Sequence, residues 1–249
     1  MNIAVCVCQV PDTTSFIGFV DGVLDRSRVN EVMNPYDEYA LEEAVRLKER
    51  FVGSVVTAFS IVSASAKDIL RKALALGADR AVLVSSSIQT GEPYLTAQLL
   101  SKALITFYIG SIPDLVFCGK HSTDFKQEQV PSMLGELLGI ASVTGVTTLN
   151  VSGKLLHVER EIEGGLECLD VQYPVVLSAE KGLNQPRKAS IRAVMEAKKK
   201  TIELLPISID ETSFIHMSSL EPVVRTKKCH FLQDEKELVI LLSKDGVFC

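Results

Sequence analysis

Apolar residues in the first half of the chain come in short unbroken runs separated by amphipathic stretches. Residues 3–10, 54–61, 81–85 and 115–118 are such runs. Continuous rather than alternating apolar residues mark strands buried on both faces of a parallel sheet. Between them, 35–50, 66–76 and 93–108 repeat apolar positions at helical spacing. In the first of these, Ala40, Leu41, Ala44, Val45 and Leu47 share one side. Strand and helix in alternation predict right-handed βαβ crossovers and an open, doubly wound sheet. From 142 onward the pattern changes. Residues 142–151, 154–162, 166–172 and 175–179 read as strands joined by turns at Ser152-Gly153, Gly164-Gly165 and Tyr173-Pro174, a meander that finishes the sheet. A short helix over 191–199 follows. After Ile202 the pattern is irregular, with Pro206, Ser213 and Pro222, until an amphipathic stretch over 234–243.

The sharpest local signal is a helix start. Asn34 stands at the N-cap, Pro35 at the first helical position, and Asp37 and Glu38 in the positive first turn. The Asn34 side chain is free to serve a ligand as well as the helix's first amides. Sheets of this kind bind ligands outside the carboxyl ends of their strands. Four segments leave those ends here: 11–34, 62–65, 86–92 and 119–129. None carries Gly-x-Gly-x-x-Gly or a Walker lysine loop, which argues against a dinucleotide dehydrogenase and a P-loop NTPase.

Length and composition suit one large α/β domain plus an extension, with 47% hydrophobic and 23% charged residues over 249 positions. The net charge of −5 argues against sequence-independent nucleic-acid binding, although lysines and arginines gather between Lys181 and Lys200. Six cysteines and four histidines show no metal-ligand spacing. Cys6 and Cys8, taken to face opposite sides of the first strand, are expected to be free buried thiols that share no metal. The N-terminal apolar run lacks a basic leader and a small-residue cleavage site, and no run approaches the roughly 20 residues of a membrane span. A cytoplasmic protein is the expectation.

Several segments, in order, resemble the β subunit of electron transfer flavoprotein. They are Val7-Cys8-Gln9-Val10-Pro11-Asp12, Met33-Asn34-Pro35-Tyr36-Asp37-Glu38, the run from Arg71 to Arg80, Asp114 to Lys120, Val158 to Glu167, Lys181 to Arg187, and Ala197-Lys198-Lys199-Lys200. The resemblance covers about residues 1–205. It implies an α/β fold with a doubly wound, mostly parallel open sheet, Rossmann-like and adenine-nucleotide-binding, extended by an antiparallel meander. The division expected is a nucleotide-binding domain over 1–205 and an arm with a helix over 206–249 that packs on the α subunit.

The same resemblance implies a function without catalytic residues. Such a subunit pairs with an α subunit that holds most of an FAD, and carries electrons from flavin dehydrogenases, such as acyl-CoA dehydrogenases, to a quinone reductase. It also buries an AMP. Carried over, Cys6, Asn34, Pro35, Tyr36, Asp37, Ile61, Gly119, Lys120, Asp124, Gln129 and Val130 surround the AMP. Tyr36 and Glu161 lie toward the flavin edge, though Tyr36 also suits ordinary packing and Glu161 a strand-face charge. In a docking loop, Leu183, Asn184, Pro186 and Arg187 lead to Ile191, an apolar anchor for the dehydrogenase. The alternative for Ile191 is a buried position behind Ser190 as helix cap.

The chain departs from the family pattern in two places. After Lys120 the family usually continues Gln-Ala-Ile-Asp-Gly-Asp-Thr-Gly-Gln, where this chain has His121-Ser122-Thr123-Asp124-Phe125-Lys126-Gln127-Glu128-Gln129. The glycines that let backbone approach a phosphate are replaced. In the docking loop Lys188 and Arg192 stand for an aromatic and a proline, which predicts a partner with an acidic face. Two other readings remain open: the β subunit of an electron-bifurcating flavoprotein with a second FAD, and a stand-alone adenine-nucleotide-binding regulator.

Overall fold

The chain forms, in order, β1 (Asn2–Cys6), β2 (Gln9–Pro11), β3 (Gly18–Val20), β4 (Val23–Asp25), β5 (Glu31–Met33), α1 (Pro35–Arg50), β6 (Val55–Ile61), α2 (Ala66–Leu76), β7 (Arg80–Ser85) and α3 (Pro93–Phe107). It continues with β8 (Leu115–Gly119), α4 (Val130–Leu138), β9 (Ala141–Ser152), β10 (Leu155–Ile162), β11 (Gly165–Gln172), β12 (Val175–Ala179), α5 (Ile191–Lys199), β13 (Glu203–Pro206) and α6 (Glu235–Lys244). This computed structural model describes residues 1–16, 18–20, 23–61, 66–86, 91–209, 213–215, 221, 229, 231–244 and 246. The expected ligand segments 62–65 and most of 86–92 lie outside the described residues. Among the described residues, no helix is long and apolar enough to cross a membrane.

Among the described residues, nine strands make one sheet in the order β11-β10-β9-β12-β8-β1-β6-β7-β13. From β9 to β13 every neighbouring pair is parallel, and β9, β10 and β11 pair antiparallel. The twofold alternation of a strand sorts the central residues into two cores. Ile3, Val5, Ala58, Leu83, Phe117 and Leu177 pack with α1 and α2 on one face. Ala4, Cys6, Phe59, Val84, Val116 and Val176 pack with α3 and α4 on the other.

Four features differ from the sequence pattern. β12 is not the last strand of a meander: it inserts between β8 and β9, parallel to both. β13 adds a parallel edge strand beside β7, too short and half-exposed to stand out in sequence. α4 fills the gap before β9, with Val130, Met133, Leu134, Leu137 and Leu138 at helical spacing and Gly139 at φ 66° ending it. The run 3–10 is not one strand. β1 stops at Cys6 because the Cys8 N–H leaves the ladder to meet Asp37, and β2 pairs instead with β5. Residues two apart in an unbroken strand would share a face. The break, rather than opposite faces, is what separates Cys6, beside the Cys118 thiol, from Cys8, beside Asp37.

The α3 terminus has an uncommon residue. Gly110 N–H donates to Ile105 O at 2.8 Å and Ile109 N–H to Thr106 O at 3.3 Å. Ile109 adopts the left-handed φ of 55° that glycine normally supplies at this point.

Two compact units emerge: Met1–Gly18 with Asp25–His216, and Phe19–Leu24 with Met217–Cys249. The second contains α6, whose first turn is capped by Asp234 Oδ1 accepting from Glu237 N–H at 2.9 Å. Its run Leu238-Val239-Ile240-Leu241 is exposed.

Candidate functional site

A crevice of about 200 Å³ opens at the start of α1, lined by Val10, Pro11, Met33, Pro35, Glu38, Lys72 and Thr123, next to the junction where β1 and β8 end. Asp37, in the first turn of α1, is buried there and ties the three elements together. Its Oδ2 accepts the Cys8 N–H at 2.7 Å. Its Oδ1 accepts the Gly119 N–H and the Asn34 Nδ2–H, each at 3.0 Å. Burial raises its pKa to about 6, against the pull of those donors. Burial and the neighbouring Asp37 likewise keep the Cys8 thiol protonated. Gly119 has no room for a side chain, since a Cβ would fall 2.2 Å from Asp37 Oδ1.

Asn34 does not use its side chain as a helix cap. Its Nδ2 is drawn to Asp37 and to the His121 carbonyl at 2.9 Å, while its backbone carbonyl takes the Asp37 and Glu38 amides. Its Oδ1 is buried without a hydrogen-bond partner among the described residues. A buried acceptor left this way is costly unless a donor reaches it. Tyr36, beside it, packs against the His121 ring, with 4.3 Å between centroids and the planes tilted by 49°.

The segment after β8 closes one side. Lys120 N–H donates to Ala179 O, and its ammonium meets Glu180 at 2.5 Å and Glu128 at 3.8 Å. Both carboxylates raise its pKa, Glu180 the more. His121 Nδ1 lies 3.1 Å from Glu128 Oε1. Phe125 reaches across to the β7 side, its ring 3.8 Å from where a Cβ on Gly91 would stand. Of the residues expected here, Asn34, Pro35, Tyr36, Asp37, Gly119 and Lys120 converge. Cys6 and Ile61 end β1 and β6 and pack into the core beneath. Asp124 and Gln129 are exposed, and Val130 opens α4. Sequence reasoning missed Cys8, Glu180 and the joint work of His121 and Glu128, because those contacts join residues far apart or on a turning loop. Among the described residues no cluster of His, Cys, Asp and Glu suits a metal ion.

The second half of α1 carries a different structure. Asn184 Nδ2 donates to Tyr39 O and Glu43 Oε2, both at 2.9 Å. Arg187 Nε reaches Glu42 Oε2 at 2.8 Å, and its Nη1 reaches Glu49 Oε1 at 2.6 Å. Burial would raise Glu42, but the Arg187 and Arg46 donors hold it below the usual carboxylate range. Leu183 packs on the core. The loop 183–190 is therefore latched inward, and Asn184 and Arg187 face α1 rather than solvent. Ser190 caps α5 by accepting the Ala193 N–H at 3.1 Å. Ile191, next to it, is 86% exposed, and Val194 and Met195 extend an exposed apolar stripe along α5. Lys188, Arg192, Lys198 and Lys199 are exposed on or just before the same helix, where Arg192 pairs with Glu196 at 2.8 Å. Glu161 is exposed on β10, opposite Leu166.

An α/β protein built on a large, mostly parallel sheet, with a crevice at the start of α1, is the class that fold and site define. The family model described as the electron transfer flavoprotein domain matches residues 21–210. An electron transfer flavoprotein subunit beta of Thermoanaerobacterium thermosaccharolyticum is 42% identical over 208 residues, covering 82% of this chain and 78% of the relative. That of Bacillus subtilis is 34% identical, covering 98% and 92%, and the human one 36% identical, covering 99% and 94%. The chain belongs to the electron transfer flavoprotein β-subunit family.

Proposed function

We propose that this chain is the β subunit of a heterodimeric electron transfer flavoprotein, an electron carrier rather than an enzyme. It takes electrons from flavin dehydrogenases and delivers them toward a quinone reductase. Family membership gives the class, and the exposure of Ile191 at the head of α5 is the observation that carries the docking role. A short exposed apolar stripe headed by Ile191 suits a transient interface, which must release after each transfer. The lysines on and before the same helix favour an acidic docking face on the dehydrogenase.

The FAD belongs mostly to the α subunit, and it supplies the redox chemistry when bound. This chain contributes an aromatic surface at Tyr36 and an acidic charge at Glu161 toward it. The 206–249 arm, with its exposed α6 run, packs on the α subunit. The crevice under Asn34 is the adenine-nucleotide pocket. The partnerless Asn34 Oδ1 fits a hydroxyl or amino donor of an adenosine, whereas the Glu128 carboxylate beside Lys120 does not fit a phosphate.

Native capture of the chain with its partner, followed by chromatography of the cofactors released on denaturation, tests the reading. One FAD per heterodimer supports the carrier. Two FADs would instead mean a bifurcating flavoprotein, and a chain with neither partner nor flavin would mean a stand-alone regulator.

A further inference from the structure

The latch between α1 and the loop 183–190 contains an acceptor without a donor. Glu43 and Asn184 meet at its centre, where they are only 8% and 9% exposed. Both hydrogens of the Asn184 amide nitrogen are spent, one on Tyr39 O and one on Glu43 Oε2, each at 2.9 Å. Turning the amide over would set its oxygen against the Tyr39 carbonyl, so its orientation is fixed. Asn184 Oδ1 is then buried with no hydrogen-bond partner among the described residues, which is costly. An ionised Glu43 offers that oxygen further lone pairs, whereas a protonated Glu43 brings the missing donor. Burial favours the same form and raises the Glu43 carboxyl above its reference value of 4.5. Glu42 adds to the rise, while the Asn184 hydrogen bond and the Arg46 charge oppose it. From the loop, the Arg187 guanidinium is engaged by Glu42 and Glu49, so the group that the loop presents to Glu43 is a neutral amide.

We infer that Glu43 is held protonated and closes a two-bond ring with Asn184, its Oε1 hydroxyl donating to Oδ1 while its Oε2 accepts from Nδ2. One proton thereby fixes the docking loop to α1, and Glu43 is a positioning residue for docking, an assignment that rests on the docking role proposed above. Raising the pH releases that proton to solvent and leaves acceptor facing acceptor, so the loop loosens. The folded chain keeps the proton where the unfolded chain has lost it. The clasp is therefore complete below about pH 4.5 and weakens as pH rises through the higher value of the fold.

The test is hydrogen–deuterium exchange of the 183–190 peptide in the intact heterodimer, from about pH 5 to about pH 8, corrected for the intrinsic pH dependence of exchange. Glu43→Gln presents the same donor and acceptor to Asn184 at every pH, and Asn184→Ala removes the ring. Native protection of the loop is expected to fall about tenfold across the range. Glu43→Gln should hold the native pH 5 protection throughout. Asn184→Ala should be loose already at pH 5 and lose the pH dependence; if it folds poorly, the comparison of native with Glu43→Gln decides alone. Native protection that ignores pH, or a Glu43→Gln loop that loosens with the native one or is loose at pH 5, overturns the inference. The KM for the carrier in dehydrogenase-coupled reduction, taken as the ratio of native to Glu43→Gln at each pH, reports separately on docking. A ratio that stays flat while the native loop opens overturns the docking role and leaves the clasp standing.

Discussion

Arg187 is clamped onto Glu42, with its Nε and Nη2 spanning the two carboxylate oxygens at 2.8 and 3.1 Å. Through this pair the docking loop is held by the same helix whose first turn builds the crevice. Glu42 is buried and Arg187 half-exposed. Removing the guanidinium leaves Glu42 with Arg46 at 2.9 Å and the backbone N–H of residue 187 at 3.1 Å. Arg187→Ala should therefore cost about 2 kcal/mol of stability in urea denaturation. It should also raise the KM for the carrier in dehydrogenase-coupled reduction. Arg187→Lys restores neither in full, because an ammonium cannot span both oxygens. Equal behaviour of Lys and Arg would show that the clamp geometry is unimportant.

Ile191 behaves in the opposite way. It projects into solvent, so truncation opens no cavity. Ile191→Ala should leave stability within about 0.5 kcal/mol and weaken dehydrogenase-dependent reduction by about tenfold, as expected for a central interface anchor. Thermal unfolding and steady-state transfer, measured on one preparation, separate the two effects.

Asp37 gives the crevice a pH signature. Its pKa is about 6 in the fold and 3.8 in the reference state. Between those values the folded protein keeps a proton that the unfolded chain has released. The contribution of Asp37 to stability is therefore greatest below about pH 4, falls as pH rises to about 6, and is level above that. The fall amounts to ~3 kcal/mol. Denaturation of the native chain and Asp37→Asn across that range should diverge by this amount, and a flat difference would contradict it.

Gly119 is sterically required. A methyl there collides with Asp37 Oδ1 and with Tyr36 Cβ, at 2.2 and 2.8 Å, so Gly119→Ala should cost about 2–3 kcal/mol. Gly165→Ala is the control, since its added Cβ meets nothing within 4 Å, and its change should stay under about 0.5 kcal/mol.

Ile109 marks a place where the chain is less stable than it could be. Ile109→Gly at the end of α3 removes a left-handed β-branched residue that is exposed. It should raise stability by about 1 kcal/mol in equilibrium unfolding, since the relief of strain exceeds the entropy glycine adds to the unfolded chain. A loss of stability would mean that Ile109 makes contacts that offset its strain.

The central layers were written into the chain. Runs such as Ala81–Val84 and Leu115–Cys118 are apolar at every position, which permits only strands covered on both faces, and Pro35 and Ser190 sit where helices begin because their local chemistry suits those positions alone. The motif at Asn34 to Glu38 was equally plain, for a helix start is a property of neighbours. Tertiary structure decided what those neighbours could not. The insertion of β12 between β8 and β9 follows from burial of Val175–Ala179 on both faces, which is a matter of long-range packing rather than turn sequence. The Asp37 hub depends on amides contributed by Cys8 and Gly119, 29 and 82 residues away. Asn34 turned its side chain from its own helix to His121, and Arg187 turned from solvent to Glu42, because a buried carboxylate or carbonyl attracts a donor more strongly than water-exposed alternatives do. Sequence determined which elements exist and where they start; proximity in three dimensions determined which of their polar groups became partners, and so what the crevice and the docking loop can do.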